Sequence, residues 1–209
     1  MEIAIVLVII GLLLGGVLKG QEMIENSRVK AAVNDINGVT AAANAYMDRF
    51  HRIAGDDGNQ ATIRARGQNW SAAQAGTNNG ALAITIAQTF GGGGEQNSFW
   101  SQLRASGFIT GDPSLAGVNA LPRNPWGGLM GVTTDATIMN AMPGTKICLS
   151  QVPGKAAISL DTQLDDGNPN TGTLRATIGA AGANTAPGAT PGAGVAYNED
   201  TIYSICRSI

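Results

Sequence analysis

Acidic and amide side chains are concentrated between Asp161 and Asn170. Their oxygen atoms are the ligands that Ca²⁺ prefers, but the stretch lacks the ligand order and the final glutamate of an EF-hand. The residues Asp-Gly-Asn-Pro within it favour a tight turn. We therefore predict a turn and no metal site, and we name Asp161, Asp165 and Asp166 as the calcium candidates.

Catalytic chemistry finds little support elsewhere in the chain. The single histidine, His51, lies between Phe50 and Arg52 with no identifiable nucleophile. No GxSxG, HExxH or kinase signature is present. The glycines at 91–94 are not followed by the Lys-Ser or Lys-Thr of a phosphate-binding loop. The sequence therefore predicts no enzyme and no cofactor.

The two cysteines, Cys148 and Cys206, are too few to build a zinc site of several thiolate or imidazole ligands with one histidine. They form no CxxC redox motif. Each lies in a short apolar run of strand length. They form either a disulfide, as an exported protein would, or two buried thiols, which is the default in a cytosolic protein.

Composition excludes a further class of function. The 209 residues include 13 Lys and Arg against 15 Asp and Glu, and charged residues make up 13% of the chain, about half the share in an ordinary soluble protein. A general nucleic-acid binder needs a concentrated basic face. A near-neutral chain does not supply one, so we predict no specific nucleic-acid partner.

The strongest pattern lies at the N-terminus. Residues 3–18 are apolar without interruption, and Lys19 ends the run. A membrane-spanning helix needs about 20 apolar residues. A removed signal peptide is disfavoured, because Glu2 precedes the run and no small-residue cleavage site follows it. A helix that is apolar on every side lies in a membrane or packs against copies of itself.

The helical pattern continues beyond this run. Apolar residues recur at steps of three and four from Val29 to Phe50, and no proline interrupts residues 1–50. The sequence predicts one helix over 1–52, with 1–19 apolar and 20–52 amphipathic, ahead of a globular head over 53–209. Two pairs of glycines lie four residues apart, a spacing that lets helices approach closely: Gly11 with Gly15, and Gly16 with Gly20.

The head is predicted to be loop-rich, since the chain has 29 glycines. Short apolar runs predict strands at 145–150, 156–160, 173–178 and 201–206, and residues 97–106 predict a short helix. Residues 81–87 fit either element. We expect Trp126 to fill the core of the head.

An Ala, Gly, Thr and Pro-rich stretch at 179–196 predicts an exposed loop. It is either a plain solvated loop or a glycan-bearing surface, with Thr185 and Thr190 as the candidate acceptors. Asn69-Trp70-Ser71 is an N-glycosylation triplet of a kind that often arises by chance.

The residues from Glu2 to Leu14, Glu-Ile-Ala-Ile-Val-Leu-Val-Ile-Ile-Gly-Leu-Leu-Leu, resemble the start of a mature type IV pilin. Residues 99–108 and 124–128 resemble segments of bacterial pilin-like proteins. The resemblance implies an α+β subunit with the type IV pilin fold. In that fold the front half of the long N-terminal α-helix protrudes, and its back half packs on a head with an antiparallel β-sheet.

The same resemblance implies roles for particular residues. Cys148 and Cys206 would form a disulfide that bounds the region 148–206. Glu2 would neutralise the N-terminal amine of a neighbouring subunit, which gives a buried carboxylate a charged partner. In a filament the helix would pack closely or lose hydrogen bonds along one stretch, at Gly11, Gly15, Gly16 and Lys19.

The implied function is that of a structural subunit of an extracellular type IV pilus, which serves adhesion, motility or surface interaction. Its partners would be copies of itself and the pilus assembly machinery of the inner membrane, where the subunit is anchored before assembly. A minor pilin or a type II secretion pseudopilin is the alternative within the superfamily. A monomeric, membrane-anchored surface-binding protein is the alternative from another class.

Overall fold

The structure, a computed structural model, describes residues 2–190 and 196–209. The side chains of Glu2, Ala4 and Ile5 lie outside that description. The first element is a single helix of 49 residues, α1, which runs from Glu2 to Phe50. The next residue, His51, has a φ of 53°, a left-handed conformation that ends a helix. The long helix predicted from the sequence is confirmed.

The two halves of α1 have different surroundings. Its N-terminal part projects from the head, and by length and composition α1 can cross a membrane. The C-terminal part packs against the head through a stripe of buried side chains: Val29, Ala32, Ile36, Val39 and Tyr46. Their steps of three, four and seven residues place them on one face of the helix.

The head contains a four-stranded antiparallel sheet in the order β1-β2-β4-β3. The strands are β1 Met130–Thr133, β2 Lys146–Pro153, β3 Leu174–Ile178 and β4 Ile202–Ser208. The C-terminal strand β4 is therefore central, between β2 and β3. With α1, this sheet confirms the predicted α+β fold class.

Cys148 and Cys206 form a disulfide between β2 and β4. The two residues lie directly opposite each other in the strand register, and both are fully buried. The predicted pairing is confirmed. The bridge closes the chain segment that contains β3 and the Ala, Gly, Thr and Pro-rich stretch at 179–196, which we call the low-complexity loop.

Four shorter helices and two 3₁₀ turns complete the head: α2 Gln60–Arg64, Gln68–Trp70, α3 Gln88–Gly91, α4 Gly94–Ala105, Gly117–Ala120 and α5 Gly154–Leu164. Both α4 and α5 contact α1. The strand predicted at 156–160 is wrong, since these residues lie in α5. Ala156, Ala157 and Leu160 are buried at helical spacing, and a run of five residues is too short to distinguish a strand from a helix.

Residues 81–87 form neither a helix nor a strand. The backbone of Ile84 instead bonds at the end of β1: its carbonyl oxygen accepts from the hydroxyl of Thr133, and its amide donates to the hydroxyl of Thr134. The expectation that Trp126 fills the core is met only in part, because its ring packs at the edge of the core. The head core holds Phe99 and Trp100, whereas Trp126 is half-buried against α1.

Three consecutive residues between β1 and β2 adopt the left-handed conformation. Met139, Asn140 and Ala141 have φ values of 53°, 56° and 55°, although only glycine adopts this region without strain. Arg175 on β3 donates hydrogen bonds to the carbonyl oxygens of Met139, at 2.8 Å, and Asn140, at 3.2 Å. The amides of the same two residues donate to the low-complexity loop at Gly188 and Ala189. The turn thus holds that loop against the head.

Candidate assembly surface

The projecting part of α1 is an apolar surface without cover in the single chain. Ile3 is 79% exposed and Leu12 is 72% exposed, and the other described large side chains up to Leu18 are about half exposed or more. In the part of α1 from Val6 to Phe50, an 18-residue window has a mean hydropathy of 1.7, and none of that window is buried. Patches of this extent mark contacts with a membrane or with other protein chains.

The glycines of this segment have open space around them. A Cβ atom added at Gly11, Gly15, Gly16 or Gly20 would meet none of the described atoms within 4 Å. The fold of one chain therefore does not require glycine at these positions. What the glycines offer is a shallow surface on which another helix can approach closely.

Lys19 marks the end of the apolar run. Its ammonium lies 2.9 Å from the carboxylate of Glu22, and both side chains are exposed. Residues 11–19 are helical in this single chain, so the loss of helix expected in a filament stays a prediction. The side chain of Glu2 lies outside the described residues, and its pairing with a neighbour's amine also stays a prediction.

The far end of α1 is fixed to the head by a polar and aromatic cluster. The hydroxyl of Tyr46 donates to Asp57 at 2.6 Å, and Arg66 donates to both carboxylate oxygens of Asp57, at 2.5 and 3.2 Å. The Arg66 guanidinium also lies over the rings of Phe50 and Trp70, 4.9 and 5.0 Å from their centroids. Such charge-assisted and cation–π contacts restrain the helix, so the head holds the projecting half in one direction.

A second attachment lies where α1 leaves the head. The indole Nε1 of Trp126 donates to the carboxylate of Glu25 at 2.7 Å. Trp126 stands on a tight turn built by Asn124, whose side-chain oxygen accepts from the amides of Trp126, at 3.0 Å, and Gly128, at 3.1 Å. The Asn-Pro-Trp-Gly-Gly segment signals this turn in the sequence, but its partner on α1 had no sequence signal.

The three calcium candidates do come together. One ligand oxygen from each of Asp161, Asp165 and Asp166 lies within 4.8 Å of the others. Each carboxylate already accepts hydrogen bonds: Asp161 from the Tyr197 hydroxyl at 2.6 Å, Asp165 from the Leu174 amide at 2.8 Å, and Asp166 from the Asn168 amide at 2.9 Å. These bonds favour the predicted turn, and calcium binding stays a prediction.

Burial of Asp161 raises the pKa of its carboxyl group above the ordinary value. The two other aspartates, Asp165 and Asp166, are neighbouring negative charges that act in the same direction. The hydrogen bonds from Tyr197 and Gly167 oppose the shift, because they stabilise the carboxylate. The cluster thus ties the loop after α5 to Tyr197, beyond the low-complexity segment.

The glycan candidates differ in access. Thr190 is exposed, whereas Thr185 is half-buried and its hydroxyl accepts a hydrogen bond from the amide of Ala180 at 3.1 Å. Asn69 of the glycosylation triplet is exposed, and so is His51 after the end of α1. The predicted loop at 179–196 extends in part over residues 191–195, which lie outside the described residues.

No protein-family model matches this chain, and no curated protein matches it either. A functional assignment therefore has to come from the exposed half of α1 and from the way the head holds it.

Proposed function

We propose that this chain is the structural subunit of an extracellular type IV pilus that polymerises helically through the N-terminal half of α1. The observation that carries the proposal is the division of α1 into an exposed apolar half and a half packed on the head. The filament would serve adhesion, motility or surface interaction. Its partners are other copies of the chain and the inner-membrane machinery that assembles them.

The proposal accounts for the exposure of large apolar side chains along the N-terminal half of α1. An apolar side chain of this size gains about 1.5–3 kcal/mol when it is removed from water, so a surface with this many of them does not stay in water. Before assembly the lipid covers it, and in the filament neighbouring helices cover it. Lipid is as apolar as leucine, so the replacement of lipid contacts by helix contacts depends on close packing between helices. The glycines at 11, 15 and 16 allow such packing.

The charge of Glu2 also supports the proposal. A carboxylate inside an apolar bundle carries a large desolvation cost unless a positive group pairs with it. A neighbour's N-terminal amine, the partner that the pilin resemblance implies for Glu2, would be such a group. A monomeric membrane anchor would instead keep the carboxylate in the headgroup layer at the N-terminus of α1, where it needs no partner from another copy.

The test is cryo-electron microscopy of filaments sheared from cells that make the chain. We expect a helical filament with residues 3–18 at its axis. If the chain is absent from every filament and stays in the membrane as single subunits, polymerisation is wrong and the monomeric surface-binding protein replaces it. A filament confined to the periplasm, or a chain found only at a filament tip, would instead identify a pseudopilin or a minor pilin.

A variant sharpens the test. Replacing the carboxylate in Glu2→Gln is expected to abolish or strongly reduce filament yield, since the neighbour's amine is then buried without a counter-charge. Glu22→Gln is the matched control, because Glu22 is exposed on the same helix beyond the apolar run. The yield of sheared filaments, normalised to the amount of chain in the membrane, is the measurement. Equal yields from the two variants would contradict the role given to Glu2.

A further inference from the structure

The apolar part of α1 extends beyond Lys19 on one side of the helix. Met23 and Ile24 are 66% and 57% exposed, and the intervening charges of Lys19 and Glu22 form a pair with each other. From Ile3 to Ile24 the helix rises about 33 Å at 1.5 Å per residue. The hydrocarbon core of a bilayer is about 30 Å thick, so Ile24 lies at its boundary when α1 spans the membrane.

The head begins at this level. Glu25, the residue after Ile24, accepts the hydrogen bond from Trp126. The indole ring is half-buried against α1. Tryptophan favours the layer between hydrocarbon and water, because its ring is apolar and its N–H is polar. The position of Trp126 along α1 therefore coincides with the layer that this side chain prefers.

A concave surface adjoins Trp126, and we call it the foot of the head. Four half-buried side chains provide its apolar part: Pro125, Trp126, Pro153 and Ile202. Arg28 adds a side chain that is 48% exposed, with its guanidinium 3.6 Å from the carboxylate of Glu25. The groove between these residues has a volume of about 360 Å³. An arginine has five N–H donors, so Arg28 can keep Glu25 and still meet a second anion.

We infer that the foot rests on the phospholipid headgroups while the chain is anchored in the membrane, and that its groove takes a lipid phosphate against Arg28. The inference rests on the membrane-anchored state in the proposed function and adds a second lipid-facing surface to it. Arginine binds phosphate by paired hydrogen bonds. The surrounding proline, tryptophan and isoleucine side chains suit the apolar part of a headgroup layer.

The depth of the groove in the bilayer favours a lipid surface as its partner. A groove so close to the end of the apolar helix lies within the layer of headgroups, which extends roughly 5 to 8 Å beyond the hydrocarbon on each side. A soluble ligand would have to displace lipid to reach it. The foot is released when the subunit leaves the membrane, so the contact belongs to the state before assembly.

The test uses the full chain in vesicles of phosphatidylethanolamine and phosphatidylglycerol that contain some lipid with a nitroxide quencher on its headgroup. We expect the quencher to dim part of the tryptophan emission, and Trp126→Phe to remove that quenched part. Trp70→Phe is the matched control. Trp70 packs against Phe50, about 37 Å farther along α1 from Glu25 at 1.5 Å per residue, so its loss should leave the quenched part unchanged.

Arg28→Gln tests the phosphate contact without touching a tryptophan. One arginine near an anionic surface contributes about 1 kcal/mol, so the ratio of docked to undocked foot, read from the quenching, should fall about fivefold. Lys30→Gln is the control, since Lys30 is exposed and two residues along a helix do not share a face.

Three results would overturn the inference. The first is unchanged quenching in Trp126→Phe while the chain still floats with the vesicles, which leaves the anchored state intact. The second is quenching that appears only at high protein density, which would identify a second copy as the occupant of the foot. The third is a chain that does not float with the vesicles, which would remove the membrane-anchored part of the proposed function as well.

Discussion

Lys146 is a buried cation at the start of β2. Its side chain is fully buried, and its ammonium donates to the carbonyl oxygen of Gly144 at 2.7 Å. Burial lowers the pKa of Lys146, and the negative charge of Asp135 opposes this only in part. Because the pKa in the folded state is below the value in the unfolded chain, the unfolded state binds more protons between these two values. Stability therefore rises with pH up to the ordinary lysine pKa.

We expect Lys146→Met to increase the free energy of unfolding at neutral pH by about 1 kcal/mol, since a buried charge is replaced by an apolar chain of similar length. The same variant should lose the rise in stability at alkaline pH. Urea unfolding of the chain in detergent at neutral and alkaline pH measures both effects. Lys155→Met is the control, because the Lys155 side chain is 70% exposed. A fall in stability in Lys146→Met at neutral pH would contradict the prediction.

At the scale of elements, the left-handed turn at 139–141 stores strain. An L-residue in this conformation costs roughly 1–2 kcal/mol, and Ala141 has no polar side chain that could offset the cost. Ala141→Gly is therefore expected to raise the free energy of unfolding by about 1 kcal/mol. Ala136→Gly, in the exposed turn before it, should give no gain. The measurement is the midpoint of thermal unfolding of the two variants and of the parent chain. Equal midpoints for Ala141→Gly and the parent would show that the turn is not strained.

The disulfide joins two strands that are distant in sequence. Its cysteines are 58 residues apart, and closing a loop of this size contributes roughly 4 kcal/mol in the chain-entropy model. The double variant Cys148→Ala and Cys206→Ala should lose about 2–4 kcal/mol and keep α1 helical. Urea unfolding and circular dichroism measure the two properties. A double variant as stable as the oxidised parent would show that the sheet does not need the bridge.

The elements that were predictable from sequence have redundant signals. Helix α1 has length, periodicity and no proline, and the strands β2, β3 and β4 have compact apolar runs between turn residues. Helix α5 was mistaken for a strand because its run is short. The contact between Trp126 and α1 was not foreseen, because its partner, Glu25, is 101 residues away in sequence. Contacts of that range depend on how the head folds back on α1, and no local pattern encodes them.

The candidate surface was predictable to a similar degree. An apolar run of sixteen residues predicts an exposed apolar helix, whatever fold the rest of the chain adopts. The foot of the head was not predictable. It combines Arg28 of α1 with residues of the turn at 124–128 and of β2 and β4, which only the folded sheet brings together.

At the scale of the whole molecule, the glycines of α1 distinguish what the fold of one subunit requires from what helix packing in the proposed filament requires. Gly15→Ala should leave the head unchanged and favour the helix by about 1 kcal/mol, since an added Cβ meets none of the described atoms within 4 Å. In the proposed filament the same methyl group lies between packed helices, so the yield of sheared filaments should fall. Gly38→Ala, which has equal space but lies in the half of α1 that packs on the head, is the control. Equal yields from the two variants would place Gly15 outside the helix contacts.

The bridge between β2 and β4 also governs how far the chain can be drawn out by force. In the proposed filament, a subunit under tension would be loaded through α1 and through the surface of its head. Unravelling of the head would lengthen only the residues outside the closed loop, because residues 149–205 are bypassed by the covalent link. At roughly 3.5 Å per extended residue, about 200 Å of chain is withheld from extension. Reduction of the single disulfide would let these residues extend as well, so the head would become longer and more compliant under tension.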